Sequence, residues 1–594
     1  MQSHTPKLHH LCASQVTQSS PVSFIITVMK ETNLVTGSVI IVGSGLAGMV
    51  AGYEALKGGK HVIFLEQENR NNLGGQAFWS LGGLFYVDSP EQKMMRVKDS
   101  EELAWRDWAN SADYDPVTED DRHDFWGAKW GREYVRFAAN EKRTYLKGLG
   151  LNVLPTIGWA ERGSGDASGH GNSVPRFHLT WGTGPEVVRV FREPLLKAEE
   201  QGQVEFHFRH RVDELVVEND DAGSPRVVGV RGSVLSPTSQ PRGEASSREV
   251  VKHFELRGSA VVIATGGIGG NLDKVRRMWP TQRWGECPEE LVTGVPAHVD
   301  GRGIDIAQQA GASVVNTDRM WAYTEGMTNW NSIWPGHGIR IIPGPSALWL
   351  DAEGNRLPTN LFPGTDNLAA LAHIGQTGHG YSWFVLNQAI VDKEFIFSGS
   401  EQNPDLTDKE FKKLAGKLGP GTHVAVKAFM ENGIDWVVED DLEDLVAGMN
   451  RIAPEGSPTI EVTQLRKVLE NRDSQLDNPF SKDAQVNYLR VARGFLGDKL
   501  IRVAPPHRIL DETKGPLIAV RLKFLTRKTL GGLETNLDGQ CLNPDGTVLP
   551  GLYACGEASG FGGGGMHGKN ALEGTFLGGC IHSGKRVGEA LARE

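Results

Sequence analysis

The pattern of apolar and polar residues near the start of the chain predicts a strand, a helix and a second strand in succession. Four apolar residues, Val39 to Val42, precede a glycine turn, and apolar positions with helical spacing follow from Leu46 to Leu56. A second apolar run, His61 to Glu66, ends on an acid. This order predicts a βαβ unit.

The glycines of that turn have the spacing of a site for the pyrophosphate of a dinucleotide. Gly43 permits the tight turn, Gly45 lets backbone approach a phosphate, and Gly48 lets the helix pack closely on the strand. Helix N–H groups favour negative charge there, and Glu66 is placed to accept both ribose hydroxyls and to disfavour a 2′-phosphate. The cofactor is therefore FAD or NAD. The predicted contacts are Gly43, Gly45, Leu46, Ala47, Gly48 and Glu66.

Three further glycine turns follow along the chain. They are Leu73 to Gly83, Val261 to Gly267, and Thr547 to Gly560, the last of which reads Gly-Leu-Tyr-Ala-Cys-Gly-Glu up to Glu557. All four turns, in this order, resemble the flavin motifs of the fumarate reductase and 3-ketosteroid Δ1-dehydrogenase superfamily. The resemblance covers both ends of the chain and implies FAD rather than NAD.

The resemblance also implies a place for each turn. The second flanks the isoalloxazine ring, the third returns to the adenine side, and the last puts Glu557 beside the ribityl chain. Small residues on one side of a helix predicted from Ala571 to about Ala592 would bring its N-terminus to the ring. Gln76 to Ser80 contains no histidine for a covalent link, so noncovalent FAD is expected. The expected contacts are Gly74, Gly75, Gly82, Gly83, Ala264, Thr265, Gly266, Gly267, Gly556, Glu557 and Gly574.

Length and motif order predict two domains, because 594 residues exceed the size at which a single hydrophobic core stops growing. The resemblance implies an α/β fold: a Rossmann-like FAD-binding domain, split in sequence, with an inserted α+β substrate-capping domain. We expect a flexible tail at 1–37, FAD-binding parts at 38–300 and 506–594, and the cap at 301–505. A glycine-rich turn would start a cap helix from Ile304 to Ala310.

Local patterns give four further expectations. Aromatic residues at helical spacing within 91–150 are expected in a core. Val204 to Val230 alternates as a small antiparallel element, and 232–250 is rich in turn-forming residues and is expected to be an exposed loop. The charged, helical segment 401–475 is expected to be a solvated outer part of the cap without chemistry.

Composition excludes several classes of partner. The net charge of −11 is spread along the chain, which argues against nucleic-acid binding. No apolar run reaches the roughly 18 residues of a membrane span. The five cysteines are scattered, without metal-ligand spacing, so no metal site is predicted and a reducing compartment, the cytoplasm, is favoured. The oligomeric state is not indicated.

Aromatic residues are dense in the first half of the predicted cap. The stretch Met327 to Arg340 lacks helical or strand periodicity, so its tryptophans are expected to line a cleft. This favours a small-molecule substrate that is bulky, apolar or aromatic. The aromatic residues are Trp321, Tyr323, Trp330, Trp334, Trp349, Tyr381, Trp383 and Phe384.

The resemblance implies hydride transfer between a substrate carbon and flavin N5, at a CH–CH bond next to a carbonyl or carboxylate. The family's catalytic residues are absent, however. Lys514 to Ala519 lacks the tyrosine of ketosteroid dehydrogenases, and Leu525 to Gly532 lacks the histidines of soluble fumarate reductases. No arginine follows Gly354 to Leu357 where the family's proton donor is expected.

Candidates for proton transfer are therefore taken from pocket-like and flavin-like motifs: Tyr323, His337, Tyr381 and Lys569. Arg527 and Lys528 are candidates to bind a substrate carbonyl or carboxylate. Four activities stay open: a dehydrogenase, an ene-reductase working in the opposite direction, an oxidase that uses O2, and a flavin protein without catalysis. No haem-attachment motif is present, so a separate partner would exchange electrons.

Overall fold

The computed structural model describes residues 37–118, 121–163, 171–219, 223–410 and 421–594. A parallel sheet and a second, mainly antiparallel sheet organise these residues, and helices pack around both. The predicted α/β class and the split parallel unit are confirmed. The predicted tail at 1–37 lies almost entirely outside the described residues.

The parallel sheet joins segments that lie far apart in sequence. Val39–Val42 pairs in parallel with Ala260–Ile263 on one side and with Val62–Glu66 on the other. These strands are almost wholly apolar because both faces of the sheet are covered. In spatial order, from an antiparallel edge strand, the six strands are Gln540–Leu542, Val548–Ala554, Ala260–Ile263, Val39–Val42, Val62–Glu66 and Val204–Phe208.

The antiparallel element predicted at Val204 to Val230 is only partly right. Its first strand, Val204–Phe208, pairs in parallel with Val62–Glu66 and extends the parallel sheet. The loop expected at 232–250 is shortened by strands at both ends, and Gly243 within it is buried against Trp79. The antiparallel sheet consists of His210–Asn219, Pro225–Leu235 and Val250–Arg257.

The second sheet is built around one long buried strand, Leu517–Thr529. The predicted limit at 505 assigned this strand to the FAD-binding part, whereas it pairs with Tyr381–Asn387 and Met320–Thr328. The domain limits themselves stay a prediction. The other strands of this sheet are Leu291–Thr293, Gly338–Ile342, Leu348–Asp351, Ile396–Phe397 and Trp436–Glu439. A small three-stranded sheet contains Gly83–Phe85, Phe177–Thr180 and Val153–Gly158. A two-stranded sheet pairs Val314–Val315 with Gly532–Leu533.

The first helix, Leu46–Lys57, packs on the C-terminal helix, Thr575–Arg593. Glycines 584 and 588 permit this approach, since a Cβ at either position would lie 2.5 Å from a backbone oxygen of the first helix. The remaining α-helices are Pro90–Met94, Glu101–Ala112, Phe125–Asn140, Lys142–Gly148, Thr183–Glu200, Leu272–Arg277, Thr281–Trp284, Arg302–Gln309, Asn367–Gln376, Gln388–Glu394, Pro404–Thr407, Val424–Asn432, Leu442–Ile452, Val462–Ser474 and Ala484–Ala492. Single helical turns are Arg70–Asn72, Gly75–Trp79, Asp498–Arg502, Glu512–Lys514 and Gly556–Ala558.

The aromatic residues predicted to pack in a core within 91–150 do so in the main, since Trp108, Trp130, Tyr134 and Phe137 are buried. The cap helix predicted from Ile304 to Ala310 is observed as Arg302–Gln309. Within the described ranges, no helix is both long enough and apolar enough to span a bilayer.

Candidate active site

A continuous cavity runs from the first glycine turn to the second sheet, with a volume of about 1870 Å³ that includes the space open to solvent at its mouth. Of the predicted site residues, those that line it are Gly43, Gly45, Leu46, Ala47, Glu66, Gly74, Gly75, Gly83, Ala264, Thr265, Gly266, Tyr323, His337, Gly556, Glu557 and Gly574. Gly48, Gly82 and Gly267 lie behind its wall, and Tyr381 and Lys569 lie away from it.

The first glycine turn has the geometry of a phosphate cradle. Gly43 has a φ of +97°, and a Cβ there would lie 2.7 Å from the carbonyl oxygen of Ala264. A Cβ at Gly48 would overlap the carbonyl oxygen of Gly43. The helix begins after Gly45 without a side-chain cap or an acid in its first turn, so its first N–H groups face the cavity ready for an anion.

The carboxylate of Glu66 holds this turn from the next strand. Its Oε2 accepts hydrogen bonds from the backbone N–H of Ser44 at 2.9 Å and from the Ser44 hydroxyl at 2.7 Å. Its Oε1 accepts from the N–H of Glu68 at 3.0 Å. Because a carboxylate has about four acceptor positions, Glu66 keeps capacity for a hydroxyl donor in the cavity.

Gln76 and Glu557, from the second and fourth turns, meet in the middle of the cavity. Gln76 Nε2 donates to Glu557 Oε2 at 2.5 Å, and the N–H of Thr529 donates to Glu557 Oε1 at 2.8 Å. Among the described residues, Gln76 Oε1 and Thr265 Oγ1 are buried polar atoms without a partner. Such atoms normally have one, so this stretch of wall fits a ligand rich in hydroxyl and amide groups, as FAD is.

The N-terminus of the C-terminal helix closes this part of the cavity. Gly574 lines the cavity with a φ of +87°, and its carbonyl oxygen accepts from the N–H of Phe85 at 2.9 Å. The small residues Gly578 and Gly579 after it do not line the cavity. A Cβ at Gly578 would meet Tyr134, and one at Gly579 would meet Phe561 and Met566.

The cavity continues into an inner chamber on the second sheet, where Tyr323 and Arg340 face each other. The guanidinium carbon of Arg340 lies 3.9 Å from the Tyr323 ring centroid. Arg340 Nη1 donates to Glu573 Oε1 at 2.6 Å and its Nε to Glu325 Oε2 at 3.3 Å, while Nη2 has no partner among the described residues. Burial disfavours the guanidinium charge, yet the two carboxylates raise the pKa of Arg340. Burial, together with Glu573, raises the pKa of the Tyr323 phenol.

His337 and Trp334 form another wall of the inner chamber. Their rings stack with centroids 3.6 Å apart. Arg527 and Lys528 also line the cavity. Lys528 Nζ lies 5.2 Å from the ring centroid of Phe576, and burial lowers the pKa of Lys528.

Glu401 is a cavity residue that the sequence did not single out. Its charged surroundings in 401–475 predicted a solvated position, but the loop turns inward, with the N–H of Ser400 donating to the carbonyl of Trp79 at 3.2 Å. Oε2 of Glu401 is buried without a partner among the described residues. Burial raises the pKa of Glu401 to about 7.

Two residues predicted to be catalytic, Lys569 and Tyr381, do not line the cavity. Lys569 pairs with Asp115 at 2.7 Å and with Asp113 at 3.3 Å on the outer side of its loop. Tyr381 lies in the second sheet opposite Lys523. Most of the cap aromatics are core residues, since Trp321, Trp349, Trp383 and Phe384 are buried outside the cavity. Trp330 is instead 45% exposed. Only Tyr323 and Trp334 of that set line the cavity in the described residues.

No group of His, Cys, Asp or Glu within the described residues has the arrangement of a metal site. Four cysteines, Cys287, Cys541, Cys555 and Cys580, are free, and Cys12 lies outside the described residues.

Comparison with known proteins gives matches along almost the whole chain. The FAD binding domain family matches residues 38–577. A KsdD-like steroid dehydrogenase of Mycolicibacterium smegmatis is 54% identical over 539 residues, which cover 91% of this chain and 96% of that protein. The resemblance predicted from the motifs is confirmed.

Two solved structures share the fold. The 3-ketosteroid delta1-dehydrogenase of Sterolibacterium denitrificans, in complex with 1,4-androstadiene-3,17-dione, has a TM-score of 0.63 at 16% identity, over 94% of this chain and 99% of that one. The open conformation of a flavocytochrome c3 fumarate reductase has a TM-score of 0.58 at 21% identity, over 94% and 78%.

Proposed function

The chain belongs to the FAD binding domain family and is an FAD-dependent dehydrogenase, and we propose that it acts on a CH–CH bond next to the carbonyl of a bulky ring ketone of the steroid class. The steroid class is supported by the relative that is 54% identical over 96% of its own length. The extension of the cavity beyond the glycine turns to Tyr323, Trp334 and His337 supports a substrate site beside the flavin.

The observation that carries the proposal is the continuity of the cavity. The same space is lined by the phosphate cradle at Gly45, by the Gln76 and Glu557 pair, and by the inner group of Tyr323, Arg340 and Glu573. A substrate in the inner chamber therefore lies between the flavin-binding wall and a cluster of groups that can hold a proton.

FAD, when bound, takes the hydride that leaves one carbon of the CH–CH bond. The neighbouring carbon loses a proton, and we assign the Tyr323 oxygen to accept it while the phenol proton passes to the Glu573 carboxylate. Arg340 holds that carboxylate in place with its 2.6 Å hydrogen bond. The two C–H bonds break, a C=C bond forms, and the substrate loses two electrons and two hydrogens in total.

We further propose that FAD is held without a covalent bond, since no histidine lies between Gln76 and Ser80. Acid precipitation should release all the flavin into the supernatant. Flavin that stays with the precipitate would contradict this. A separate electron acceptor completes the cycle.

The test is an anaerobic titration of the purified yellow protein with saturated 3-ketosteroids and their unsaturated forms. Bleaching of the flavin band by a saturated ketone supports the proposal. Reoxidation of dithionite-reduced protein by unsaturated ketones alone would instead indicate an ene-reductase, and stoichiometric peroxide during turnover in air would indicate an oxidase. No response to any ketone would contradict the proposed substrate class.

A further inference from the structure

The imidazole of His337 is fixed in one orientation and one tautomer. Its Nδ1 accepts a hydrogen bond from the backbone N–H of Ile333 at 3.1 Å. Because a backbone N–H can only donate, Nδ1 carries the lone pair, and the neutral ring carries its hydrogen on Nε2. Burial, with a smaller contribution from Arg527, lowers the pKa of His337 to about 3, so the ring stays neutral at ordinary pH.

The Nε2–H of His337 is left for a ligand. The residue is 1% exposed and lines the cavity, and none of the described residues contacts Nε2 by a hydrogen bond. Ring stacking on Trp334 prevents the imidazole from swinging away. Because His337 lines the cavity, a molecule in the cavity is the group that would accept this hydrogen bond.

Arg527 is a second side-chain donor without a partner among the described residues. Several buried guanidinium groups are matched to carboxylates, as Arg176 is to Asp99 and Asp107, whereas Arg527 is half-buried. Arg527 lines the cavity and forms no ion pair or side-chain hydrogen bond with the residues that the structure describes. His337 and Glu401 line the same cavity, and a Cβ built at Gly294, which also lines it, would lie 3.0 Å from Arg527 Nη1.

We propose that the Nε2–H of His337 and the guanidinium of Arg527 together bind the carbonyl oxygen of the substrate. This inference rests on the proposed function, because it needs a ketone in the inner chamber. It makes His337 a hydrogen-bond donor rather than the proton-transfer group suggested by the sequence, and it leaves Tyr323 to face the carbon that loses its proton.

The reaction requires stabilisation of the carbonyl oxygen, which these two donors would provide. As the proton leaves the carbon next to the carbonyl, the C–H electron pair shifts toward the carbonyl oxygen, and it returns to form the C=C bond as the hydride leaves the neighbouring carbon. Donors already aimed at that oxygen stabilise its developing charge. A neutral imidazole donates without losing its own proton, and the permanent charge of Arg527 adds to the stabilisation.

Difference infrared spectroscopy of the FAD-loaded protein tests the proposal directly. The probe is 1,4-androstadiene-3,17-dione with a ¹³C label at its C3 carbonyl. The stretching frequency of this carbonyl should fall when the probe binds to the unaltered protein. His337→Met and Arg527→Met should each lose a large part of that shift and weaken binding by about tenfold. His337→Gln, which keeps an N–H near the position of Nε2, should retain part of it.

Activity should follow the same order. Removal of one such donor lowers the rate by about 100-fold, so His337→Met should fall by that amount and His337→Gln by less, at normal flavin content. Tyr381→Phe is the matched control, since Tyr381 lies outside the cavity, and it should leave the carbonyl frequency unchanged.

The outcomes separate this inference from the proposed function. A carbonyl shift that both methionine variants retain would overturn the inference and leave the proposed function intact. Bleaching of the unaltered protein by ketones without any carbonyl shift would also overturn only the inference. If no ketone bleaches the flavin and none shows a carbonyl shift, both the inference and the proposed function are overturned.

Discussion

Gln76 and Glu557 are 481 positions apart in the chain, and the amide Nε2 of one donates to the carboxylate of the other at 2.5 Å. Burial raises the pKa of Glu557, although nearby Lys528 opposes the shift. The pair joins two flavin motifs that are distant in sequence. Within it, Glu557 Oε2 accepts its hydrogen bond from Gln76.

Replacement of Gln76 by Leu should weaken both the protein and its hold on FAD. Glu557 Oε2 would lose its donor in a buried position, which costs about 1 to 3 kcal/mol of unfolding free energy. The measurement is flavin content after gel filtration, together with chemical unfolding. Gln464→Leu is the matched control, because the side chain of Gln464 bonds, within the described part of the chain, only to the surface residues Glu353 and Asn355. Equal flavin content in the two variants would contradict a role for Gln76 at the cofactor.

Gly574→Leu should empty the FAD site. A side chain there has to adopt a φ of +87° and would start 3.2 Å from the N atom of Phe85 and 3.1 Å from the Phe177 ring. The strained backbone costs about 1 to 3 kcal/mol, and the leucine would project into the cavity that Gly574 lines. Absorbance at the flavin band measures the loss. Gly148→Leu, at an exposed helical glycine with open space around it, should stay fully yellow.

The flavin-binding half of the site could be predicted because glycine spacing is a local signal. The turn at Gly43, the acid at Glu66 and the later turns each require particular backbone geometry within a few residues. Most of their residues line the cavity. The partners of the strand Leu517–Thr529 could not be predicted in this way, because strand pairing depends on distant segments and this strand carries Arg521 and Lys523 among its apolar residues.

The inner chamber could be predicted only in part: Tyr323 and His337 line the cavity as expected, but the rest depends on contacts between distant segments. Glu401 lies in a charged stretch that resembles solvated surface, and only the contact of its loop with Trp79 turns it inward. Lys569 follows a flavin-like loop, but Asp113 and Asp115, more than 450 positions earlier, hold it outside. The donor role of His337 depends on the N–H of Ile333, four residues before it, and on a tautomer that no motif encodes.

Glu401→Gln should change how stability depends on pH. Burial raises the pKa of Glu401 from 4.5 to about 7, so the folded protein binds its proton more tightly than the unfolded chain does. The stabilisation is complete below pH 4.5 and is lost as pH rises through 7, by at most about 3 kcal/mol. The advantage of the glutamine variant over the unaltered protein should therefore grow between pH 5 and pH 8. A constant difference in Tm across that range would show that the carboxyl does not titrate there.

Tyr323→Phe should separate proton transfer from binding. The variant keeps the ring under the Arg340 guanidinium but lacks the oxygen that is assigned to accept the substrate proton, so kcat for ketone oxidation should fall by about 100-fold or more. Flavin content and the Kd for a product ketone should change little, because phenylalanine fills the same space. Anaerobic single-turnover bleaching measures the chemical step.

Tyr381→Phe is the matched control for this change, since Tyr381 is a buried tyrosine of the same sheet that does not line the cavity. Its bleaching rate should equal that of the unaltered protein. If Tyr323→Phe bleaches as fast as the control, the proton goes elsewhere. Glu401 then becomes the group to test, since it lines the same cavity and its Oε2 has no partner among the described residues. A Glu401→Gln variant that then loses turnover while binding the product ketone normally would assign the proton to that carboxylate.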